Sequence, residues 1–400
     1  MKETEGASPA SDTPLRDLSL AEYPRLSQLL DQALDLPPAE RAAWLRDLAR
    51  SEPKSAAVLR ELFASQAAAQ ASGLLEDREL LTRFLESTIE AEPALIGKQI
   101  GPYRVLALLG HGGMGSVWLA ERIGGSFQRQ VALKLIHPAL AGQVMTARLG
   151  REREILASLH HPHIARLFDA GVAEDGQSYL ALEYVAGTSL TSYCDSHRLP
   201  IRERLQLFQQ VLGAVQYAHA HLVIHRDLKP SNILVTEEGQ VQLLDFGIAK
   251  LLTEGEGKET QLTQLGGRAL TPDYAAPEQI AGAPITIAAD VYALGVMLYE
   301  LLSGERPYRL KRDSRGALEE AILQGDVAPP SQVRPSESAL QARATTGRKL
   351  AKTLRGDLDT ITLKALKKSP AERYPTANAF GEDIARFLRG DVVLAQPDSF

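Results

Sequence analysis

The sequence predicts an α+β protein of two unequal lobes, preceded by a small all-α segment. Three observations carry that prediction. Between 103 and 185 most apolar residues follow the alternation of strands. From 201 to 388 they recur at helical spacing instead. Ahead of both, residues 18–92 are alanine-rich and helical in pattern. A strand-rich block followed by a helix-rich block is the mark of α+β architecture, and no internal repeat or heptad pattern competes with it.

Residues 1–17 mix Ser, Pro, Thr, Glu and Gly without periodicity, which predicts disorder. Leu26, Leu29, Leu30, Ala33 and Leu34 then recur at helical spacing until Pro37-Pro38 interrupts them. A second helix places Ala42, Leu45 and Leu48 on one side with Trp44 beside them, and 57–71 and 74–85 read as a third and a fourth. Residues 18–92 contain no nucleophile–base pair and no ligand cluster, so they are expected to be a helical segment for regulation or interaction. Residues 93–102 read as a linker. Strands are expected over 103–109, 116–121 and 131–136, with Gly124-Gly125 at a hairpin turn. A helix over 146–159 and strands over 164–171 and 179–185 follow. Helices are then expected over 201–221, 285–303, 315–324, 357–367 and 376–388. The polar stretch 326–352 exceeds an ordinary connection and is expected to be a mobile excursion without function.

Bulk properties set outer bounds. At 400 residues, two or three domains are expected at roughly 100–200 residues each. An apolar share of 44% with 24% charged residues suits a globular protein with large cores. The formal net charge of −6 argues against nucleic acid as a partner, since neutralising phosphates wants a basic face. One cysteine, Cys194, cannot form an internal disulfide and fits a reducing compartment. The N-terminus lacks an apolar signal-peptide stretch, and the longest apolar run, 291–302, is short and carries Glu300. These features predict a soluble, intracellular chain with no membrane contact of its own.

The chemistry-bearing motifs begin at Gly110-His111-Gly112-Gly113-Met114-Gly115-Ser116-Val117, which fits G-x-G-x-x-G-x-V between two strands. Glycines there let the backbone approach phosphates closely, and the strand–turn–strand setting differs from the strand–turn–helix of dinucleotide folds. Alone, the pattern is equally a plain hairpin. Lys134, within the apolar run Val131-Ala132-Leu133-Lys134, is costly to bury unless anions meet it. Phosphates on one side and a carboxylate from the next helix on the other would do so. Glu152 and Glu154 are the candidates; Glu152 stands one helical turn before Leu156, and Glu154 reads as a surface charge.

His225-Arg226-Asp227-Leu228-Lys229-Pro230-Ser231-Asn232 matches H-R-D-L-x-x-x-N at each specified position. Asp245-Phe246-Gly247 and Ala276-Pro277-Glu278 follow in order. Together these motifs, spread through 103–388, resemble the eukaryotic-type protein kinase superfamily. The resemblance implies a two-lobed kinase fold over 103–392, with 103–184 as the small lobe, 185–392 as the large one and 393–400 as a tail. It implies ATP as substrate, with Mg2+ or Mn2+ held by Asn232 and Asp245. Asp227 would orient the acceptor hydroxyl and Lys229 would meet the transferring phosphate. Lys134 would hold ATP phosphates and pair with Glu152. An adenine pocket would be lined by Leu109, Val117, Ala132 and Leu234, with Leu182 behind it and the hinge at 183–185, Glu183 and Val185 included. Asp290 would support the catalytic loop, and Arg373 would pair with Glu278.

Lys229 and Thr271 match residues that mark serine/threonine specificity in the family, so protein serine or threonine hydroxyls are the expected acceptors. Two other classes stand beside this one. A scaffold-only pseudokinase would have lost the lysine, base or metal ligand, and a small-molecule phosphotransferase would lack Ala276-Pro277-Glu278. Arg226 beside Asp227 implies a phosphate on the activation segment, where Thr263 and Thr260 are the candidates for autophosphorylation in trans by a homodimer. The wording of 245–250, 274–279 and 355–361 resembles bacterial serine/threonine kinases, whose relatives carry a helical leader, a membrane helix and tetratricopeptide repeats. The expected location is therefore cytoplasmic, as a soluble signalling enzyme or the cytosolic part of a longer membrane-anchored protein.

Overall fold

The computed structural model describes residues 29, 33, 38–53, 55–56, 59–60, 95–112, 115–124, 129–136, 158–174, 176–246, 272–308 and 315–397. The chain divides into two compact units, Met1–Ile96 and Gly97–Phe400. In the first, helix α1 (Pro38–Ser51) buries Leu45 and Leu48 at helical spacing, and Leu29, Ala33, Ala56 and Leu59 are buried with them. Arg60 Nη2 donates to the Leu45 carbonyl at 3.1 Å. The helices expected over 57–71 and 74–85 lie almost wholly outside the described residues, as does nearly all of the one expected over 146–159.

The second unit opens with a six-stranded antiparallel sheet in the order β1-β2-β3-β4-β6-β5. The strands are β1 (Gln99–Ile100), β2 (Tyr103–Gly112), β3 (Gly115–Arg122), β4 (Gln130–Ile136), β5 (Leu167–Val172) and β6 (Ser178–Glu183). β1 already pairs with Tyr103 and Arg104, so the sheet starts inside the stretch expected as a linker. Period-2 alternation sets the two faces of β3 and β4. Trp118, Ala120, Val131, Leu133 and Leu135 are buried, whereas Val117, Leu119, Ala132 and Lys134 are only half-buried. The half-buried face carries the expected nucleotide contacts.

Short β7 (Thr188–Ser189) leads into helices α2 (Leu190–Ser196) and α3 (Ile201–Ala220). The α3 face of Leu205, Phe208, Val211, Leu212 and Val215 is buried. β8 (Ile233–Val235) and β9 (Val241–Leu243) complete a three-stranded sheet with β7. α4 (Pro277–Ile280) precedes α5 (Ile287–Ser303), whose residues are buried on nearly every side; this is the apolar run that carries Glu300. It is the axis against which α3 and α9 pack. α6 (Arg315–Gln324), α7 (Glu337–Ala342), α8 (Gly347–Leu354), α9 (Asp357–Ala365) and α10 (Ala377–Arg389) follow. Among the described residues no helix is long and apolar enough to cross a membrane.

The stretch expected to be a mobile excursion is folded. It contains α7 and α8, with Arg343, Leu350 and Leu354 buried. The Ser331 amide and hydroxyl both donate to Asp359, at 2.9 and 2.6 Å. Its helices are too short to show a period, and single side chains provide the burial. Beyond α10, the fully buried Asp383 accepts the amides of Leu394 at 2.6 Å and Ala395 at 2.9 Å, so the tail through Ala395 is docked.

α3 ends in a Schellman arrangement: the Leu222 amide donates to His219 O and the Val223 amide to Ala218 O, both at 3.0 Å. Leu222 occupies the left-handed position at φ 62°, is 93% exposed, and stands where glycine is usual. A Cβ in that conformation costs about 1–2 kcal/mol, against a gain in unfolded-chain entropy of about 0.5–1 kcal/mol for glycine. Leu222→Gly should therefore raise stability by up to about 1 kcal/mol. Urea unfolding checks this, and a lower midpoint for the variant would contradict the strain.

Candidate active site

The loop between α3 and β8 is held from beneath by one carboxylate. Asp290, fully buried on α5, accepts the His225 amide at 2.8 Å and the Arg226 amide at 2.9 Å. It also accepts His219 Nε2 at 2.8 Å. Burial alone would raise the Asp290 carboxyl, but the His219 hydrogen bond, the nearby imidazoles and the His225 amide outweigh it and hold its pKa below the ordinary value. Burial keeps His225 neutral by lowering its pKa. Its Nε2 donates to Leu244 O at 2.8 Å, and its ring lies 4.9 Å from that of Phe246. Arg226 takes φ 66°. That backbone is held by the Asp290 bonds on one side and by Gln279 Nε2, which donates to Arg226 O at 3.1 Å, on the other.

This loop brings Asp227, Lys229 and Asn232 together. Lys229 Nζ lies 3.1 Å from Asp227 Oδ2. Asn232 Nδ2 donates to Asp227 O at 2.8 Å and to Oδ2 at 3.2 Å, which leaves the Asn232 amide oxygen as a ligand. Leu244 N in turn donates to Asn232 O at 2.8 Å and sets Asp245 beside the loop. Lys134 of β4 reaches Asp245 Oδ2 at 2.8 Å. Asp245 stands at φ 47°, and its Oδ1 is buried without a hydrogen-bond partner among the described residues. An orphaned carboxylate oxygen costs free energy unless a cation or donor meets it. A hard divalent metal ion fits that oxygen and the Asn232 amide oxygen. Among the described residues no group of three His, Cys, Asp or Glu side chains could hold a metal. The remaining ligands of such an ion would come from phosphate and water, as is usual for Mg2+.

The expected adenine residues divide between two surfaces. Val117 pairs across from Lys134, and Ala132 from Leu182, so these line the half-buried sheet face. Leu109 is 44% exposed; Glu183 and Val185, at the end of β6 and just after it, and Leu234 of β8 are half-buried. Gly110 pairs with Val117, and His111 and Gly112 continue β2 to Gly115, whose φ is 142°. Gly113, Met114, Glu152, Thr260, Thr263 and Thr271 lie outside the described residues.

The segment after Thr271 packs against the same loop. Tyr274, Ala275 and Gln279 line one small cavity with Arg226, Asp227, Leu228 and Lys229, floored by Ala289, Asp290 and Ala293 of α5. The fork of Arg373 donates to both Glu278 oxygens at 2.7 and 2.8 Å, the pairing the sequence led us to expect. Its remaining donors go to the carbonyls of Lys367, Ala288 and Lys368. Sequence reasoning passed over Gln279, which bonds both the Ala276 amide and Arg226 O, and His219, which orients Asp290. The only signal for Gln279 was its place next to Glu278. His219 resembles any helix histidine until α5 is packed against it.

Residues 103–382 match the family model described as a protein kinase domain. The chain belongs to the protein kinase family. The kinase domain is 37% identical over 297 residues to serine/threonine-protein kinase pkn3 of Myxococcus xanthus, which covers 72% of this chain and 50% of that protein. It is 34% identical over 303 residues to tyrosine-protein kinase MasK of the same species, covering 72% of this chain and 43% of that one. The solved PknI kinase domain of Mycobacterium tuberculosis superposes with a TM-score of 0.51 at 28% identity, covering 74% of this chain and 98% of that one. The chain spans about half the length of the curated relatives it matches.

Proposed function

We propose that this kinase domain transfers the γ-phosphate of ATP to serine and threonine hydroxyls of proteins, its own activation segment included. The observation that carries the proposal is the convergence of Asp227, Lys229 and Asn232 with the Lys134–Asp245 pair. Asp227 accepts the acceptor hydroxyl proton as the oxygen attacks the γ-phosphorus and ADP leaves. Lys229 is placed to offset charge on the transferring group. Lys134 holds the α- and β-phosphates once it exchanges Asp245 for nucleotide and Glu152. Asn232 and Asp245 hold Mg2+, or Mn2+, which supplies neutralising charge at the phosphates. Val117, Ala132, Leu182, Leu109 and Leu234 enclose the adenine, with the 183–185 backbone as its hydrogen-bonding edge.

Serine/threonine choice rests on Lys229 and, outside the described residues, Thr271. Autophosphorylation is assigned to Thr263 or Thr260, in trans between two copies. Residues 18–92 are assigned to regulation or partner binding, and the site faces the ATP-rich cytosol, whether or not the natural protein is membrane-anchored. The test is incubation of the chain with γ-labelled ATP and Mg2+ beside a generic basic protein, followed by phosphoamino-acid analysis and peptide mapping. Phosphoserine and phosphothreonine are expected, with label on Thr260 or Thr263. Phosphotyrosine alone would overturn the specificity, and ATP binding without transfer would overturn the activity.

A further inference from the structure

The folded stretch 326–356 ends up tied to the segment that packs against the Asp227–Lys229 loop. Arg343, 2% exposed, follows α7 and points at the carboxyl end of α5. Its Nε donates to Leu301 O at 3.1 Å and Leu302 O at 3.0 Å, and its Nη2 to Glu300 O at 2.8 Å. Nη1 returns to Ala339 O at 2.9 Å. Leu301 O and Leu302 O are carbonyls of the last turn of α5, and Glu300 O also accepts the Gly304 amide at 2.8 Å; a cation there complements the helix dipole. The fit is close: a Cβ on Gly304, the left-handed residue after α5, would lie 2.7 Å from Ala339 Cβ and 3.0 Å from Arg343 Nη1.

The capped turn contains Glu300, whose side chain meets Tyr274. Tyr274 donates its hydroxyl to Glu300 Oε2 at 2.5 Å, and Tyr274 lines the cavity with Asp227 and Lys229. Arg306 steadies the same wall, bonding Asp273 at 2.7 Å and lying 5.9 Å from the Tyr274 ring centre. Four groups face the Glu300 carboxyl: Tyr274, Arg306 from the loop after α5, Asp195 from α2, and Arg343. Burial, with Asp195 adding to it, holds its pKa above the ordinary value against the Tyr274 hydrogen bond and the two arginines, which lower it.

We propose that Arg343 is a positioning residue for acceptor binding, acting through Glu300 on Tyr274, and that residues 326–356 therefore belong to the substrate-recognition side of the domain. The proposal rests on the kinase function proposed above. Arg343 holds the last turn of α5 in place and, after the Tyr274 hydroxyl and Arg306, adds to the groups that favour the ionised Glu300 carboxyl, so that Tyr274 stays against the loop that carries Asp227 and Lys229. None of these contacts involves Lys134 or Asp245, so nucleotide binding is expected to be independent of Arg343.

The test compares the parent with Arg343→Met and Arg343→Lys in steady-state transfer to a peptide taken from the chain's own mapped site or the generic basic protein. Arg343→Met should raise the acceptor KM about 3–10-fold, the worth of one ordinary hydrogen bond, with the KM for ATP within about twofold. Loss of the Arg343 charge raises the Glu300 pKa. The ionised carboxylate is then lost at a higher pH as pH falls, so the acidic limb of acceptor kcat/KM should move up. Arg343→Lys keeps the charge and should leave the limb where the parent has it. Glu300→Gln should remove the shift. Equal changes in the ATP and acceptor constants, or neither changing, would overturn the proposal. If Arg343→Met fails to fold, Arg343→Lys combined with Tyr274→Phe decides the matter: acceptor effects that simply add would overturn it, and a smaller combined effect supports it. A parent without transfer activity would instead overturn the kinase proposal.

Discussion

Asp227→Asn is expected to slow phosphoryl transfer by about 10²–10⁴-fold, the usual worth of a positioned general base, while ATP affinity stays near that of the parent. The substitution keeps the shape of the side chain that Lys229 and Asn232 contact, but removes its charge and its capacity to take a proton. Asp227→Ala is the blunter form. It also leaves Lys229 Nζ and Asn232 Nδ2 without the Oδ2 acceptor, so part of its loss would reflect loop disorder. Initial rates of label transfer to a basic protein, with nucleotide titration and a melting curve as controls, check the expectation. Retention of activity within about tenfold would remove Asp227 from the proton-transfer step.

The largest expected loss of stability is at the buried fork. Arg373→Met strands Glu278, a carboxylate that is only 8% exposed, without its two charge-assisted bonds. Breaking a buried pair from one side costs about 3–5 kcal/mol, because the remaining charge is desolvated and unpaired. The loss also frees the carbonyls of Ala288, Lys367 and Lys368, which tie α5 and the segment after α9 to the same guanidinium. Replacing both partners, Glu278→Leu with Arg373→Met, should cost less than the sum of the single losses. Urea unfolding of the three variants measures this, and a loss below about 1 kcal/mol for Arg373→Met would mean the pair is structurally idle.

Much of the site was legible because its chemistry dictates residue type and spacing together. A loop that is to present a base, a phosphate-binding lysine and a metal ligand within six residues has few sequence solutions, and residues 227–232 match one of them. The lysine in an apolar strand was legible for a related reason: burying an ammonium demands an anion. The expected partner, Glu152, lies outside the described residues, and the carboxylate found beside Lys134, at 2.8 Å, is that of Asp245. The long elements were equally plain. Helix α6 runs Arg315–Gln324 as periodicity predicts, and α3 and α5 differ from expectation only at their ends. What escaped were short elements, which bury one or two residues and show no period: α2, α7, α8 and the three two- or three-residue strands of the second sheet.

The sequence by itself determined the family, the order of the lobes and which residues are proposed to react. Each is written in local pattern: alternation, helical spacing, or a motif whose members act within one loop. Tertiary structure alone decided the partners that no motif implies. His219 reaches Asp290 across 71 positions, Ser331 reaches Asp359 across 28, and Arg343 reaches the Glu300 carbonyl across 43. No local pattern marks these pairs, because a buried polar group is made tolerable by whatever the fold brings within hydrogen-bond distance, wherever in the chain that partner lies.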